Sequence, residues 1–156
     1  MAGQLTLQQV LERAIQKEIE AQRLYSDLSQ KAKDTVARDA LRDMTRQEKG
    51  HQNLLERYLA GKLRKGALNP GLVVDYKIAE TLEEPEPPPI MGLKDVFLLA
   101  AVREKAAHAL YLGLAQMHPP GEARKLLEDL AAQEQQHKLR VETLYTEVAF
   151  PQTDGG

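Results

Sequence analysis

The stretch RQEKGHQNLL, residues 46–55, places a glutamate and a histidine inside an amphipathic helical pattern. Apolar residues recur on both sides of it at steps of three and four, which predicts a helix over residues 35–61. The apolar positions of this frame are Ala37, Leu41, Met44, Leu55 and Tyr58. Glu48 and His51 fall in the same frame, so both polar side chains are expected to point into a core.

The chain repeats this pattern after 86 residues. AIQKEIEAQRLY at residues 14–25 corresponds to AAVREKAAHALY at residues 100–111, and RQEKGHQNLL corresponds to residues 132–141, AQEQQHKLRV. Each half therefore reads Glu-x-x-Ala-x-x-x-Tyr and then Glu-x-x-His, which indicates two copies of one helical hairpin. The matched residues are Glu18 with Glu104, Glu48 with Glu134, His51 with His137 and Tyr25 with Tyr111.

The hairpins predict an all-α antiparallel four-helix bundle in one domain, residues 1–156. A capping box of Thr6 and Gln9 starts the first helix, Asp34 or Thr35 caps the second, and Gly61 closes it. The alternative of two domains on a flexible linker is disfavoured, because each hairpin alone would leave its apolar stripe uncovered. The predicted helices span residues 7–32, 35–61, 93–118 and 121–148.

Residues 62–92 are too many for a tight turn and predict a crossover along the bundle. The proline-rich run at residues 85–89 favours an extended polyproline strut. Four apolar residues are expected to pin the crossover to the helices, namely Leu72, Val73, Val74 and Ile78.

The amino-acid composition excludes several kinds of functional site. With no Cys, the chain has no disulfide, no thiol nucleophile and no Cys-ligated metal, so histidines and carboxylates must hold any metal. The formal net charge of -2 and the few aromatics, five Tyr and two Phe, give no sign of a nucleic-acid surface. No apolar run is long enough to span a membrane, and the start MAGQLTLQQ does not read as a signal peptide. We expect a cytoplasmic protein with neither nucleic-acid nor membrane partners.

The polar residues in the core frame predict a metal centre. Residues equidistant from a hairpin turn meet, which pairs Glu18 with Glu48 and Glu104 with Glu134. Four buried, unpaired carboxylates would cost several kcal/mol each, whereas two divalent cations would balance their charge. We therefore predict a dinuclear centre, with a purely structural polar core as the alternative. The predicted ligands are Glu18, Glu48, His51, Glu104, Glu134 and His137.

Other polar residues are weaker candidates. Glu20 points away from Glu18 and is expected on the solvated face. His108 follows Glu104 by four residues, but surface exposure is the favoured interpretation, and His118 beside the second turn is also expected at the surface. Tyr25 and Tyr111 lie in the core frame. They either pack in the core or donate hydroxyl hydrogen bonds to ligand carboxylates across the bundle.

The four runs around the repeat motifs resemble the rubrerythrin branch of the ferritin-like superfamily, over roughly residues 5–148. The resemblance implies a ferritin-like bundle whose six ligand residues hold two iron ions. It also implies that Glu48 and Glu134 bridge the irons and that Tyr25 and Tyr111 are the tyrosines that support the ligands.

Two departures from the family pattern bear on function. Rubrerythrins proper carry a four-cysteine rubredoxin-type iron site, whereas this sequence has no Cys, so a separate protein is expected to donate electrons. The family also has a glutamate at the position of Ala107 that takes part in a redox-linked ligand exchange, so peroxidase activity by that route is not expected.

The leading hypothesis is a non-haem di-iron oxidoreductase that reacts with peroxide or O₂, as a peroxidase or a ferroxidase, and acts in oxidative stress. An iron-storage protein is one alternative. An oxygenase acting on an organic substrate is another, with room supplied by Ala14, Ala21, Ala100 and Ala107. A metal-free interaction module is disfavoured by the buried charges. Iron and manganese both suit this ligand set, and we expect a homodimer or higher homo-oligomer.

Overall fold

Four long helices pair into two antiparallel hairpins in the computed structural model, which describes residues 4–63, 66–83 and 92–149. The predicted all-α four-helix bundle with a long crossover is confirmed, and each predicted helix bound lies within two residues of the observed one. A short helix and a 3₁₀ turn in the crossover were not predicted. The helices are α1 (Leu7–Lys31), α2 (Thr35–Leu59), α3 (Tyr76–Ala79), α4 (Leu93–Met117) and α5 (Glu122–Ala149), and the 3₁₀ turn is Glu80–Leu82.

The predicted capping residues lie at the ends of the two helices of the first hairpin. Thr6 and Gln9 form the reciprocal capping box that opens α1, and the Asp34 carboxylate accepts from Ala37 N to open α2. Gly61 follows α2 at φ 74°, a conformation that favours glycine, and its N–H donates to the Tyr58 carbonyl. These caps fix where each helix begins and ends, and so fix which residues reach mid-height.

The crossover is tied to α1 by backbone hydrogen bonds as well as by side-chain packing. Leu7 N donates to Leu72 O at 2.7 Å, and Val74 N donates to Leu5 O at 2.8 Å. Val74 is buried and Ile78 packs against the core, as predicted. The prediction for the side chains of Leu72 and Val73 is wrong, because both are exposed while their peptide groups make the contact with the helix start. The proline-rich run lies outside the described residues.

Two apolar clusters fill the bundle, one on each side of its middle. The cluster at the α1 start includes Leu11, Leu55, Leu114 and Leu127. The cluster at the opposite end includes Leu28, Leu41, Phe97 and Val141. The layer between them holds the polar residues of the repeat. None of the helices in the described residues combines the length and apolar content needed to cross a membrane.

Candidate metal centre

The six predicted ligand residues come together in the buried middle layer. One glutamate lies on α1, one on α4, and a Glu-x-x-His pair lies on each of α2 and α5. Every one of these side chains is at most 3% exposed. Helical spacing explains the arrangement, since the two members of each pair lie one turn apart on the inward face. The residues are Glu18, Glu48, His51, Glu104, Glu134 and His137.

The ligand atoms form two overlapping clusters. In each cluster the ligand atoms lie within 4.8 Å of one another. Glu48 and Glu134 belong to both clusters and therefore occupy the position of bridging ligands between two centres. The first cluster contains Glu18, Glu48, His51 and Glu134, and the second contains Glu48, Glu104, Glu134 and His137.

Both histidines direct Nδ1 towards a carboxylate of the other hairpin. His51 Nδ1 lies 2.6 Å from Glu134 Oε1, and His137 Nδ1 lies 2.5 Å from Glu48 Oε1. The two rings stack with their centroids 5.8 Å apart. Each half of the chain thus completes the site of the other half.

Two glutamines that were not predicted from the sequence are hydrogen-bonded to the Nε2 atoms of these two imidazole rings. His51 Nε2 lies 2.5 Å from Gln133 Oε1, and His137 Nε2 is hydrogen-bonded to Gln47 Oε1. A proton on Nε2 that is donated to the amide oxygen leaves Nδ1 as the nitrogen available to a metal. The signal that could have found them is the repeat itself, because a glutamine precedes the Glu of both Glu-x-x-His motifs.

The two tyrosines act as hydroxyl donors across the bundle while their rings are buried. Tyr25 OH donates to Glu104 Oε1, and Tyr111 OH donates to Glu18 Oε1 at 2.5 Å. Burial and the negative charge of the accepting carboxylates raise the pKa of both phenols well above its ordinary value. The phenols therefore stay protonated and remain donors.

Several ligand atoms in this layer make no hydrogen bond. They are Glu18 Oε2, Glu48 Oε1, Glu104 Oε2 and His137 Nδ1. A buried polar atom left without a partner costs about 1–3 kcal/mol, and more when it is charged. His137 Nδ1 and Glu48 Oε1 are close to each other but are not aligned as a hydrogen bond. Oxygen and imidazole ligands with unused lone pairs suit a divalent transition metal, so the residues fit a di-metal site.

Burial and the neighbouring charges shift the pKa values of four residues in this layer. Burial, reinforced by the facing carboxylates, raises the pKa of Glu48 and of Glu134 well above its ordinary value. Burial opposes ionisation of Glu18 too, but its interactions with Glu48 and His51 outweigh burial and lower its pKa. For His51, burial favours the neutral ring, yet Glu18 outweighs it and the pKa is raised. A metal entering this cluster must displace protons.

The weaker candidates lie outside the two clusters. Glu20 is exposed, as predicted. His108 is half-buried rather than at the surface, because its Nδ1 is 2.7 Å from the Ala131 carbonyl oxygen.

The surface prediction for His118 is wrong, since this residue is 2% exposed. Its ring folds back against the end of α4, where Nδ1 is 2.6 Å from Leu114 O and Nε2 is 2.6 Å from Tyr58 OH. The same hydroxyl accepts from Leu68 N, so His118 lies beneath the start of the crossover. Its hydrogen bonds connect two helices and the crossover, and they do not reach the metal-ligand clusters.

A cavity of about 40 Å³ adjoins the carboxylates on the side where α1 faces α4. Of the four small residues expected to leave room, Ala21 and Ala107 line it, while Ala14 and Ala100 are fully buried in the apolar clusters. The cavity walls also carry two cationic residues that match in the repeat, Lys17 and Arg103.

The site geometry agrees with one of three comparisons made with known proteins, the match to a family model. No curated protein and no solved structure matches the chain. The Rubrerythrin family model matches residues 9–145, which include most of both hairpins and all six candidate ligands. The chain therefore belongs to the rubrerythrin family, and its buried Glu/His clusters fit the di-metal site of a ferritin-like bundle.

Proposed function

We propose that the protein is a non-haem di-iron oxidoreductase that reacts with hydrogen peroxide or O₂. The observation that carries the proposal is the pair of ligand clusters that share Glu48 and Glu134. Two metals held by common carboxylates can be oxidised together, which a single mononuclear site does not allow. Family membership supports the same chemistry.

In this proposal each residue type has a separate task. Glu18 and Glu104 would bind one iron each, Glu48 and Glu134 would bind both, and the histidines would complete the two sets. The hard carboxylate oxygens favour Fe(III) over Fe(II). When bound, two Fe(II) ions supply the two electrons that convert hydrogen peroxide and two protons into two waters.

The tyrosines would keep the terminal carboxylates in place. Each phenol donates to one oxygen of Glu18 or Glu104, which leaves the second oxygen, Oε2, for a metal. The raised phenol pKa values keep these donors protonated throughout the neutral range. We propose that a separate protein returns the electrons, because the 156 residues contain no Cys for a rubredoxin-type relay.

An oxygenase acting on an organic substrate is less well supported. Sites for organic ligands usually enclose about 300–1,000 Å³. The cavity beside these carboxylates has a volume of about 40 Å³. Ala21 and Ala107 thus leave space for a very small molecule only.

Metal content is the first test of the proposal. We expect elemental analysis of protein loaded with Fe(II) to give about two irons per chain, as in other ferritin-like di-iron carboxylate bundles. The double variant Glu48→Ala with Glu134→Ala should lose both irons, because these residues belong to both clusters. Glu20→Ala, an exposed glutamate on α1, is the matched control and should retain them. Full iron content in the double variant would contradict the assignment.

Stopped-flow absorption then distinguishes the reactions. Fe(II)-loaded protein is mixed separately with hydrogen peroxide and with O₂, and faster oxidation by peroxide supports a peroxidase. Faster oxidation by O₂ supports a ferroxidase. Light scattering tests the storage alternative, since a large shell would support storage and a homodimer would support the oxidoreductase.

A further inference from the structure

The small cavity reaches the candidate metal centre directly. Its lining includes Glu18, Glu48, Glu104 and Glu134, the four carboxylates that would hold the two metals. It lies between α1 and α4, which contribute most of its remaining wall. The space therefore borders carboxylates of both ligand clusters.

Most of the residues that line the cavity occupy equivalent positions in the two repeats, but two of them lie in the crossover. Ala21 and Ala107 are equivalent positions of the two halves, and both line the cavity. Thr81 and Leu82 line it as well, but they belong to the crossover, which has no counterpart in the repeat. The crossover thus covers one side of an otherwise two-fold arrangement.

The crossover segment that lines the cavity is packed against α4. The 3₁₀ turn Glu80–Leu82 packs on this helix, and Leu82 is 7% exposed. Thr81 Oγ1 donates to Ile78 O at 2.7 Å. Ile78 in turn packs so closely on Gly113 that a Cβ there would lie 2.9 Å from its Cγ1. The turn is therefore fixed in place by α3 and is not a free loop.

We propose that Leu82 and the 3₁₀ turn form a size-selective cover over the oxidant entrance to the metal centre. A water needs about 10–15 Å³ of such space, and the cavity offers about 40 Å³. Hydrogen peroxide and O₂, with two heavy atoms each, fit this volume, whereas branched organic hydroperoxides do not. The inference rests on the proposed oxidoreductase function and assigns to Leu82 the exclusion of larger peroxides from the site.

The first test uses no metal and no turnover. Crystals of metal-free wild type and of Leu82→Ala are pressurised with xenon, and xenon occupancy next to Ala21 and Ala107 is compared. We expect higher occupancy in Leu82→Ala. Leu63→Ala is the matched control, because Leu63 is also a buried crossover leucine, 9% exposed and in the same apolar cluster, but does not line the cavity. Equal occupancy in all three proteins would overturn the proposal.

The second test compares two oxidants on Fe(II)-loaded protein by stopped-flow absorption. Hydrogen peroxide takes two electrons and two protons to give two waters, and tert-butyl hydroperoxide takes the same to give tert-butanol and water. Loss of Leu82 should raise the tert-butyl hydroperoxide rate about tenfold or more, as for other single-residue changes in apolar pocket size. The hydrogen peroxide rate should stay close to that of the wild type.

The two tests separate this inference from the function it rests on. If neither hydrogen peroxide nor O₂ oxidises the Fe(II)-loaded wild type, the oxidoreductase proposal fails. The proposed selection between peroxides then fails with it, even if xenon occupancy still rises in Leu82→Ala. If the wild type reacts but Leu82→Ala and Leu63→Ala change the oxidant ratio equally, the cover alone is refuted. The milder Leu82→Val should show a smaller shift in the same direction.

Discussion

At the residue scale, the candidate site contains the six ligand-type residues and also the side chains that orient them, such as Gln47 and Gln133. The six ligand-type residues were predictable, because glutamate and histidine in a core frame contradict the apolar pattern around them. Gln47 and Gln133 were not predicted, since an uncharged amide beside a helix core is ordinary in any amphipathic helix. His118 was misplaced because it ends α4, where helical periodicity no longer says which way a side chain turns.

The glutamine that holds His51 should control metal affinity. Gln133→Leu removes the acceptor at His51 Nε2, so the ring loses its fixed tautomer and orientation. Loss of such a partner typically weakens metal binding by about 10–100-fold, which competition with a chelator measures. Gln136→Leu, an exposed position on the same helix, is the control and should bind normally. Gln133→Glu keeps an acceptor and should restore most of the affinity, and a failure to do so would argue against this role.

At the element scale, the long helices were predictable and the crossover was predictable only in its extent. Each long helix repeats its apolar pattern over several turns, while α3 has four residues and shows no period. Leu72 and Val73 look like anchors by composition, but the crossover is fixed by peptide hydrogen bonds that no side-chain pattern reveals. Backbone pairing between segments that are far apart in the sequence depends on where those segments meet in the folded chain.

Substitution by alanine should stabilise the protein at one helical glycine, Gly50, but not at another, Gly113. A Cβ at Gly50 in α2 meets nothing within 4 Å, so Gly50→Ala should stabilise the protein by about 1 kcal/mol through helix propensity. A Cβ at Gly113 in α4 would lie 2.9 Å from Ile78, an overpacking that costs about 1–3 kcal/mol and offsets this gain. Urea unfolding of both variants measures the difference. Equal stabilisation would show that Ile78 moves aside freely.

At the scale of the whole molecule, a polar layer divides the core into two apolar clusters. The repeat made this arrangement predictable, because equal distances from the two turns place the glutamates at one height. The position of the cavity and its cover was not predictable, since it depends on how the two hairpins are spaced and on where the crossover lies between them. Those quantities come from packing in three dimensions.

The polar layer should make the stability of the metal-free protein fall as pH rises. The pKa values of Glu48 and Glu134 are raised by burial and by the facing carboxylates, so the folded state keeps protons that the unfolded chain has lost. Stability is therefore full below the unfolded glutamate pKa of about 4.3 and decreases above it, by at most about 1.4 kcal/mol per pH unit for each retained proton. Glu18 acts in the opposite sense, because its lowered pKa removes stability only as pH falls below the ordinary glutamate range.

Urea midpoints of the metal-free protein between about pH 5 and 8 measure this slope. Glu48→Gln with Glu134→Gln should reduce this slope, because neither amide titrates and the raised pKa of His51 is then the main contribution left. Glu20→Gln, at an exposed position, should leave it as in the wild type. An unchanged slope in the double variant would show that the two carboxyl groups do not retain protons in the folded state.

The exchange of ligands between hairpins means that neither hairpin contains a complete cluster by itself. Glu134 completes the cluster of the first half, Glu48 completes that of the second, and the tyrosines bond across the same boundary. A chain of half this length would complete such clusters only as a pair of identical copies. Because the crossover joins the two halves covalently, every chain contains the full set of ligand residues, whatever the protein concentration.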